Sequence, residues 1–184
     1  MRDGVALSAD VLLPSPSGRF PTLVYRTPYD RKGMRESPIV RQALERGYAV
    51  VLQDVRGRYG SQGEFVPYVN EGKDGYDTIE WAAAQPWSAG DVGTFGLSYP
   101  AAVQWLAGVE SPPHLKAMVP AMTFSSPRNF FYAGGAWISP GFPGSGTTSL
   151  PTRGSVAAST ARAPERKLGP PGRIWRTFFP SACR

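Results

Sequence analysis

The chain has 184 residues, 41% of them hydrophobic, and a formal net charge of +6. It is long enough for one domain with a real core, and no apolar run approaches the roughly 18 residues that a membrane span needs. Cys183 is the only cysteine, which excludes an internal disulfide and a cysteine metal cluster; with no apolar leader in "MRDGVALSAD", the composition suits a cytoplasmic protein with no membrane partner.

Residues 5–13, "VALSADVLL", alternate as a strand does, and "TLVYR" (22–26) follows as another after the turn "PSPSG". Ser37-Pro38 starts a helix, serine as N-cap and proline as the first helical residue. "PIVRQALER" continues it to Gly47, a natural C′ residue. "YAVVLQDV" (48–55) is a continuous apolar run, expected of a strand buried on both faces. The glycine-rich loop "RGRYGSQGEF" leads to an amphipathic helix over 74–85, a short strand over 91–96, a helix over 99–108 closed by Gly108, and a strand over 115–122. Strands and helices that alternate with short loops predict a mostly parallel sheet with right-handed crossovers. The predicted class is α/β.

The texture changes near residue 139. Residues 140–184 hold seven prolines and six glycines, with only seven Leu, Ile, Val or Phe. Such a segment cannot offset its ordering entropy by burial, so a disordered tail is expected. Residues 152–184 also carry seven of the 20 basic residues and one of the 14 acidic ones, which leaves the body neutral. A basic face on a folded domain would be a nucleic-acid footprint. Here the excess lies in the tail, so no nucleic-acid partner is expected.

"FGLSYPAA" (95–102) places Ser98 between the short strand and the helix that follows. In a nucleophile elbow a serine sits at the apex of such a turn, with its hydroxyl beyond the carboxyl edge of the sheet. The amide of Tyr99 and the helix N-terminus would then favour an oxyanion. The usual pattern is G-x-S-x-G, and Pro100 stands at its last position. The bland alternative is a serine that caps a helix; the flanking strand and helix favour the nucleophile. Tyr29, in "YRTPYD", should lie at the same sheet edge and could donate to an oxyanion, although a tyrosine packed on a loop is the ordinary assignment. The loop at 53–65 lacks the lysine and Ser/Thr of a phosphate-binding loop; Asp54 and Arg56 are expected to pair across its turn. Glu71, Asp74, Asp77 and Glu80 read as a solvated face and not as a metal site.

Taken together, "MRDGVALSADVLLP", "YRTPYD", "DVRGRYGSQGEF", "EGKDGYDTIEWAAAQPWSAGDVGTFGLSYPAA" and "FYAGGAW" resemble the cocaine esterase-like (CocE/NonD) and X-Pro dipeptidyl-peptidase-like family of serine hydrolases, over residues 1 to about 137. The resemblance implies the N-terminal portion of an α/β-hydrolase fold over residues 1–139. It implies Ser98 as the nucleophile of the family's G-x-S-Y-x-G, with Ala101 in place of the final glycine. The backbone amide of Tyr99 and the hydroxyl of Tyr29 would be the oxyanion donors. The implied reaction is hydrolysis of an ester or amide of a small molecule or peptide through an acyl-enzyme, with no cofactor and no metal. Esterase, acylase and peptidase activities all stay open, as does the oligomeric state.

The triad Asp and His of such enzymes lie further along their chains than the resemblance reaches. His114 is the only histidine. The helix over 99–108 runs away from Ser98, which puts His114 on the order of 15 Å from it at the opposite sheet edge. The base is therefore expected to be missing and activity impaired, with a non-catalytic fragment or interaction module as the alternative. An Arg-, Pro-, Ala- and Gly-rich tail over 140–184 is also what a shifted frame of a GC-rich gene encodes, so truncation or a frameshift after about residue 137 is expected.

Overall fold

The structure is a computed structural model that describes residues 1–133, 136–137 and 175–178. Most of the tail expected to be disordered, and the expected boundary at residue 139, lie outside the described residues. The chain divides into two compact units, Met1–Thr123 with Gly169–Arg184, and Phe124–Leu168.

The first unit is a six-stranded sheet in the order β5-β4-β2-β3-β1-β8. Its strands are β1 (Ser8–Leu12), β2 (Phe20–Thr27), β3 (Ala49–Asp54), β4 (Ser88–Leu97), β5 (Leu115–Ala121) and β8 (Trp175–Phe178). β2 pairs in parallel with β3 and β4, and β4 with β5. β1 runs antiparallel to β3, and β8 antiparallel to β1. The sheet is thus mostly parallel, as expected, with an antiparallel flank. β8 makes four residues of the tail into an edge strand.

Three helices cover the sheet: α1 (Pro38–Glu45), α2 (Glu71–Ala83) and α3 (Tyr99–Val109). α1 begins as the sequence suggests: the Ser37 Oγ accepts from the Val40 amide, Pro38 opens the helix, and Gly47 takes φ 84 just beyond its end. α2 starts three residues earlier than expected, with Glu71 and Asp74 in its first turn. α3 runs one residue past Gly108.

The continuous apolar run of β3 has a direct physical cause. Every residue of Ala49–Asp54 is buried. Val50 and Leu52 pack with Val40 and Ala43 of α1, while Val51 packs with Ile79 and Ala82 of α2 and Ala107 of α3. α1 therefore lies on one face and α2 and α3 on the other. Each fully buried valine or leucine contributes on the order of 1.5–3 kcal/mol, so β3 is the spine of both cores.

This winding defines a functional position. From β2 the chain passes through α1 to β3 on one side, then through α2 back across to β4 on the other side of β2. The carboxyl ends of β2 and β4 flank the place where the winding reverses. In open α/β sheets the crevice outside such a switch point is where ligands bind.

In the second unit a short helix, α4 (Pro127–Phe131), precedes a two-stranded pairing of β6 (Tyr132–Ala133) with β7 (Ala136–Trp137). The rings of Phe124, Phe130 and Phe131 cluster with centroids 5.1–6.0 Å apart.

Candidate active site

Tyr29 follows the end of β2 and Ser98 follows the end of β4, the two strands at the switch point. Ser98 adopts φ 65 and ψ −122, a backbone conformation that costs of order 1–3 kcal/mol for a residue with a side chain. Its neighbours hold it there. The Ser98 amide donates to Ala121 O of the adjoining strand at 3.0 Å. Gly96, at φ 154, lets the end of β4 pass against Pro100: a Cβ on Gly96 would stand 2.6 Å from the Pro100 Cβ. The glycine that the elbow needs is therefore Gly96, which is why proline is tolerated two residues beyond the serine.

The hydrogen bonds at the start of α3 separate the two interpretations of Ser98. Its side chain makes no capping bond to the helix. Its carbonyl instead accepts from both Ala101 and Ala102, each at 3.0 Å. Pro100 has no N–H to offer. Among the described residues, the amide of Tyr99 is left without a partner in this turn, and so is the Ser98 hydroxyl. The exposed serine is not a helix cap.

Tyr29 is 54% exposed. Its ring meets that of Tyr99 edge-on, with centroids 6.4 Å apart, so the side chain is not simply buried in its loop. Its amide donates to Thr27 Oγ1 at 3.0 Å, and its hydroxyl has no partner among the described residues. The loop around it is anchored from below. Arg58 Nε donates to Pro28 O at 3.0 Å, the Arg31 amide donates to Asp54 Oδ1 at 2.8 Å, and the Arg31 guanidinium pairs with buried Asp54 and Asp10. Burial pushes the Asp54 carboxyl up, against the hydrogen bonds and charge of Arg31. The structure thus brings Ser98, the Tyr99 amide and Tyr29 together at one sheet edge.

Two sequence expectations are corrected. Asp54 and Arg56 do not pair: Asp54 holds Arg31, and Arg56 makes a bidentate bond to Asp74 (2.9 and 2.6 Å) with a third to Asp3. The loop is closed by longer-range ions than its own sequence suggested. The acidic residues of α2 are not a solvated face. Glu71 and Asp74 are buried, and Asp77 accepts a two-pronged bond from Arg2. Spacing showed that these carboxylates share a helix face, but it could not show what that face meets. Among the described residues, no group of three or more His, Cys, Asp or Glu is arranged to hold a metal ion. Tyr99, singled out only for its amide, also places its phenol within the fold.

His114 lies where the topology put it. Its carbonyl accepts from the amide of Val92, near the start of β4, at 3.0 Å, and its Nδ1 lies 2.7 Å from Glu80 Oε2. At about 3.3 Å of strand per residue, Val92 and Ser98 are about 20 Å apart. Sequence reasoning missed Glu71 as a site element. Its Oε1 accepts from the Tyr99 phenol and its Oε2 from Arg26, both at 2.9 Å. Burial pushes the Glu71 carboxyl up against the pull of Arg26. Burial and the Glu71 charge push the Tyr99 phenol up, so it remains a donor. No helix among the described residues is long and apolar enough to cross a membrane.

The chain is similar to several known proteins. The sequence profile of the X-Pro dipeptidyl-peptidase (S15) family matches residues 3–168, beyond the last motif of the resemblance at residue 137. The cocaine esterase of Rhodococcus sp. (strain MB1 Bresler) is 43% identical over 126 residues, which cover 66% of this chain and 22% of that protein. The crystal structure of a CocE/NonD family hydrolase from Staphylococcus aureus superposes with a TM-score of 0.63 at 33% identity, over 67% of this chain and 26% of that one. An α-amino acid ester hydrolase superposes with a TM-score of 0.61 at 34% identity, over 67% of this chain and 24% of that one. The chain thus spans about a quarter of the length of these relatives.

Proposed function

The chain belongs to the X-Pro dipeptidyl-peptidase (S15) family of serine hydrolases, and from that premise we propose that it cleaves an ester or amide bond of a small molecule or peptide through an acyl-enzyme on Ser98. One observation carries the proposal. Three polar groups stand unpartnered, among the described residues, at the switch-point edge: the Ser98 hydroxyl, the Tyr99 amide and the Tyr29 hydroxyl. Tyr99 is buried, so its unpartnered amide has a cost, the Ser98 backbone is strained at positive φ, and in the proposed reaction all three groups serve one carbonyl.

In the proposed reaction the Ser98 Oγ attacks the carbonyl carbon. The carbonyl oxygen becomes an oxyanion and accepts from the Tyr99 N–H and the Tyr29 O–H. The Oγ proton passes to a base, the tetrahedral adduct expels the alcohol or amine, and water then releases the acid. A histidine base is not available from these residues: His114 is the only histidine and is held by Glu80 at the other end of β4. A base must come within about 3 Å of the proton it takes. In these 184 residues tested alone, Ser98 is expected to be weakly activated, with the oxyanion donors leaving a residue of catalysis.

Supplying a soluble base tests this directly. The chain would be treated with a fluorophosphonate probe, and separately with a p-nitrophenyl ester, with and without added imidazole, beside Ser98→Ala. The expected result is slow labelling at Ser98 that imidazole accelerates, and imidazole-stimulated ester cleavage that exceeds the Ser98→Ala background. Equal behaviour of wild type and Ser98→Ala would overturn the nucleophile. Fast labelling without imidazole would overturn the weak activation. A second possibility, a non-catalytic interaction module, rests on β5, which among the described residues pairs only with β4 and leaves Val119 63% exposed. A chain inert at Ser98 under both conditions would favour it.

A further inference from the structure

Glu71 opens α2 and is 2% exposed. A carboxylate in the first turn of a helix usually complements the helix dipole from solvent. This one is enclosed, where a buried ion pair is weak as a device for stability. Its contacts give it another use. Oε2 accepts from Arg26 Nη2 at 2.9 Å, and the Glu71 backbone carbonyl accepts from Arg26 Nη1 at 2.8 Å. Arg26 lies on β2, three residues ahead of Tyr29. Oε1 accepts from the phenol of Tyr99, the residue after Ser98. That phenol oxygen in turn accepts from the amide of Tyr68 at 3.1 Å, and the Tyr68 ring stacks on Tyr99 with centroids 4.5 Å apart. Arg26 is itself held by Gln53 Oε1 on β3 at 2.8 Å.

We propose that Glu71 is a positioning residue for the oxyanion site: its single carboxylate ties the end of β2, which leads to Tyr29, to the first residue of α3, whose amide follows Ser98, and so sets the separation of the two donors. The proposal rests on the hydrolase function argued above. Glu71 touches no reacting atom. It acts through Tyr99 and Arg26, whose partners beyond it lie on β3 and in the loop before α2, so β2, β3, α3 and that loop are linked through one side chain.

The test compares full-length wild type, Glu71→Gln, Tyr99→Phe, the double variant and Asp74→Asn. Ser98 labelling by a fluorophosphonate is measured in imidazole and normalised to folded protein from a parallel melt. Asp74 is the control: it is also buried and ion-paired, one turn further along the same helix, but bonds Arg56 and not Tyr99. Glu71→Gln and Tyr99→Phe should each slow labelling about tenfold to a hundredfold, the scale of an ångström-sized misplacement. The double variant should lose no more than the worse single, because both cut one linkage. Asp74→Asn should melt earlier yet label at the wild-type rate. If Glu71→Gln does not fold, Tyr99→Phe carries the test, since it keeps the Glu71–Arg26 pair. Wild-type labelling rates in both single variants, with wild type labelled at Ser98, would overturn the positioning role and leave the hydrolase function standing. A slowed Asp74→Asn would also overturn it, by making the effect one of stability. Wild type that labels no better than Ser98→Ala would overturn the hydrolase function and the positioning role with it.

Discussion

Gly96→Ala should damage this protein in a way that a matched glycine shows to be specific. A Cβ at Gly96 would stand 2.6 Å from the Pro100 Cβ and 2.9 Å from both the carbonyl carbon and the carbonyl oxygen of Pro100. Two of those atoms are backbone and the third belongs to a closed ring, so no side-chain rotation relieves the clash. The first turn of α3 must move off the end of β4. Gly47 is the comparison. It also has positive φ, +84, but nothing lies within 4 Å of its virtual Cβ. Gly47→Ala should therefore cost only the backbone penalty of a left-handed alanine, about 1–2 kcal/mol. Gly96→Ala adds overpacking, about 1–3 kcal/mol. The gain of about 0.4–1 kcal/mol from a stiffer unfolded chain is common to both and cancels in the difference. Urea unfolding followed by circular dichroism should place Gly96→Ala about 2 kcal/mol below Gly47→Ala at equal m-values. Labelling of Ser98 should fall in Gly96→Ala alone. Equal losses in the two variants, or a Gly96→Ala protein that labels like wild type, would refute the account of the elbow as a close crossing of β4 and Pro100.

Two further outcomes follow from the same site. Tyr29→Phe removes a hydroxyl with no partner among the described residues, so the melting temperature should hold while Ser98 labelling in imidazole falls about a hundredfold, the scale of one lost oxyanion donor; an unchanged rate would remove Tyr29 from the site. Glu71 has a carboxyl raised by burial from the ordinary value of 4.5, with Arg26 and Tyr99 opposing that rise and Asp74 adding to it. Its folded form binds the proton more tightly than its unfolded form, so its contribution is fully present below about pH 4.5 and is lost as pH rises through the folded pKa. Wild type should lose urea stability relative to Glu71→Gln as pH rises above about 4.5, and the opposite slope would show that Arg26 outweighs burial.

Local chemistry was legible in the chain and long-range chemistry was not. The Ser37-Pro38 start and Gly47 stop of α1 work through hydrogen bonds and torsions within a few residues, so sequence and structure agree there. The apolar run of β3 announced burial on two faces without naming the helices that provide it. The order of the sheet, which makes β2 and β4 neighbours, depends on crossovers that no local pattern encodes. The same division runs through the site. Ser98 could be singled out because a strand, a glycine, a serine and a helix are contiguous. Glu71 could not, because a glutamate in a first helical turn looks identical whether water or Tyr99 lies above it.

Tyr99 shows why the two kinds of information must meet. Every residue but proline has an amide, and the sequence alone does not say which amides are already used. Pro100 has no donor to give, and only the fold shows that Ala101 and Ala102 turn theirs to the Ser98 carbonyl and that the Ser98 amide goes to Ala121. The Tyr99 amide is what the turn leaves over. Its phenol, by contrast, is fully engaged by Glu71 and the Tyr68 amide. One residue thus keeps its backbone donor free by anchoring its side chain. A phenylalanine there would keep Gly96, Ser98 and the amide after it but lose the phenol that anchors that amide, which separates the presence of an oxyanion site from its precision.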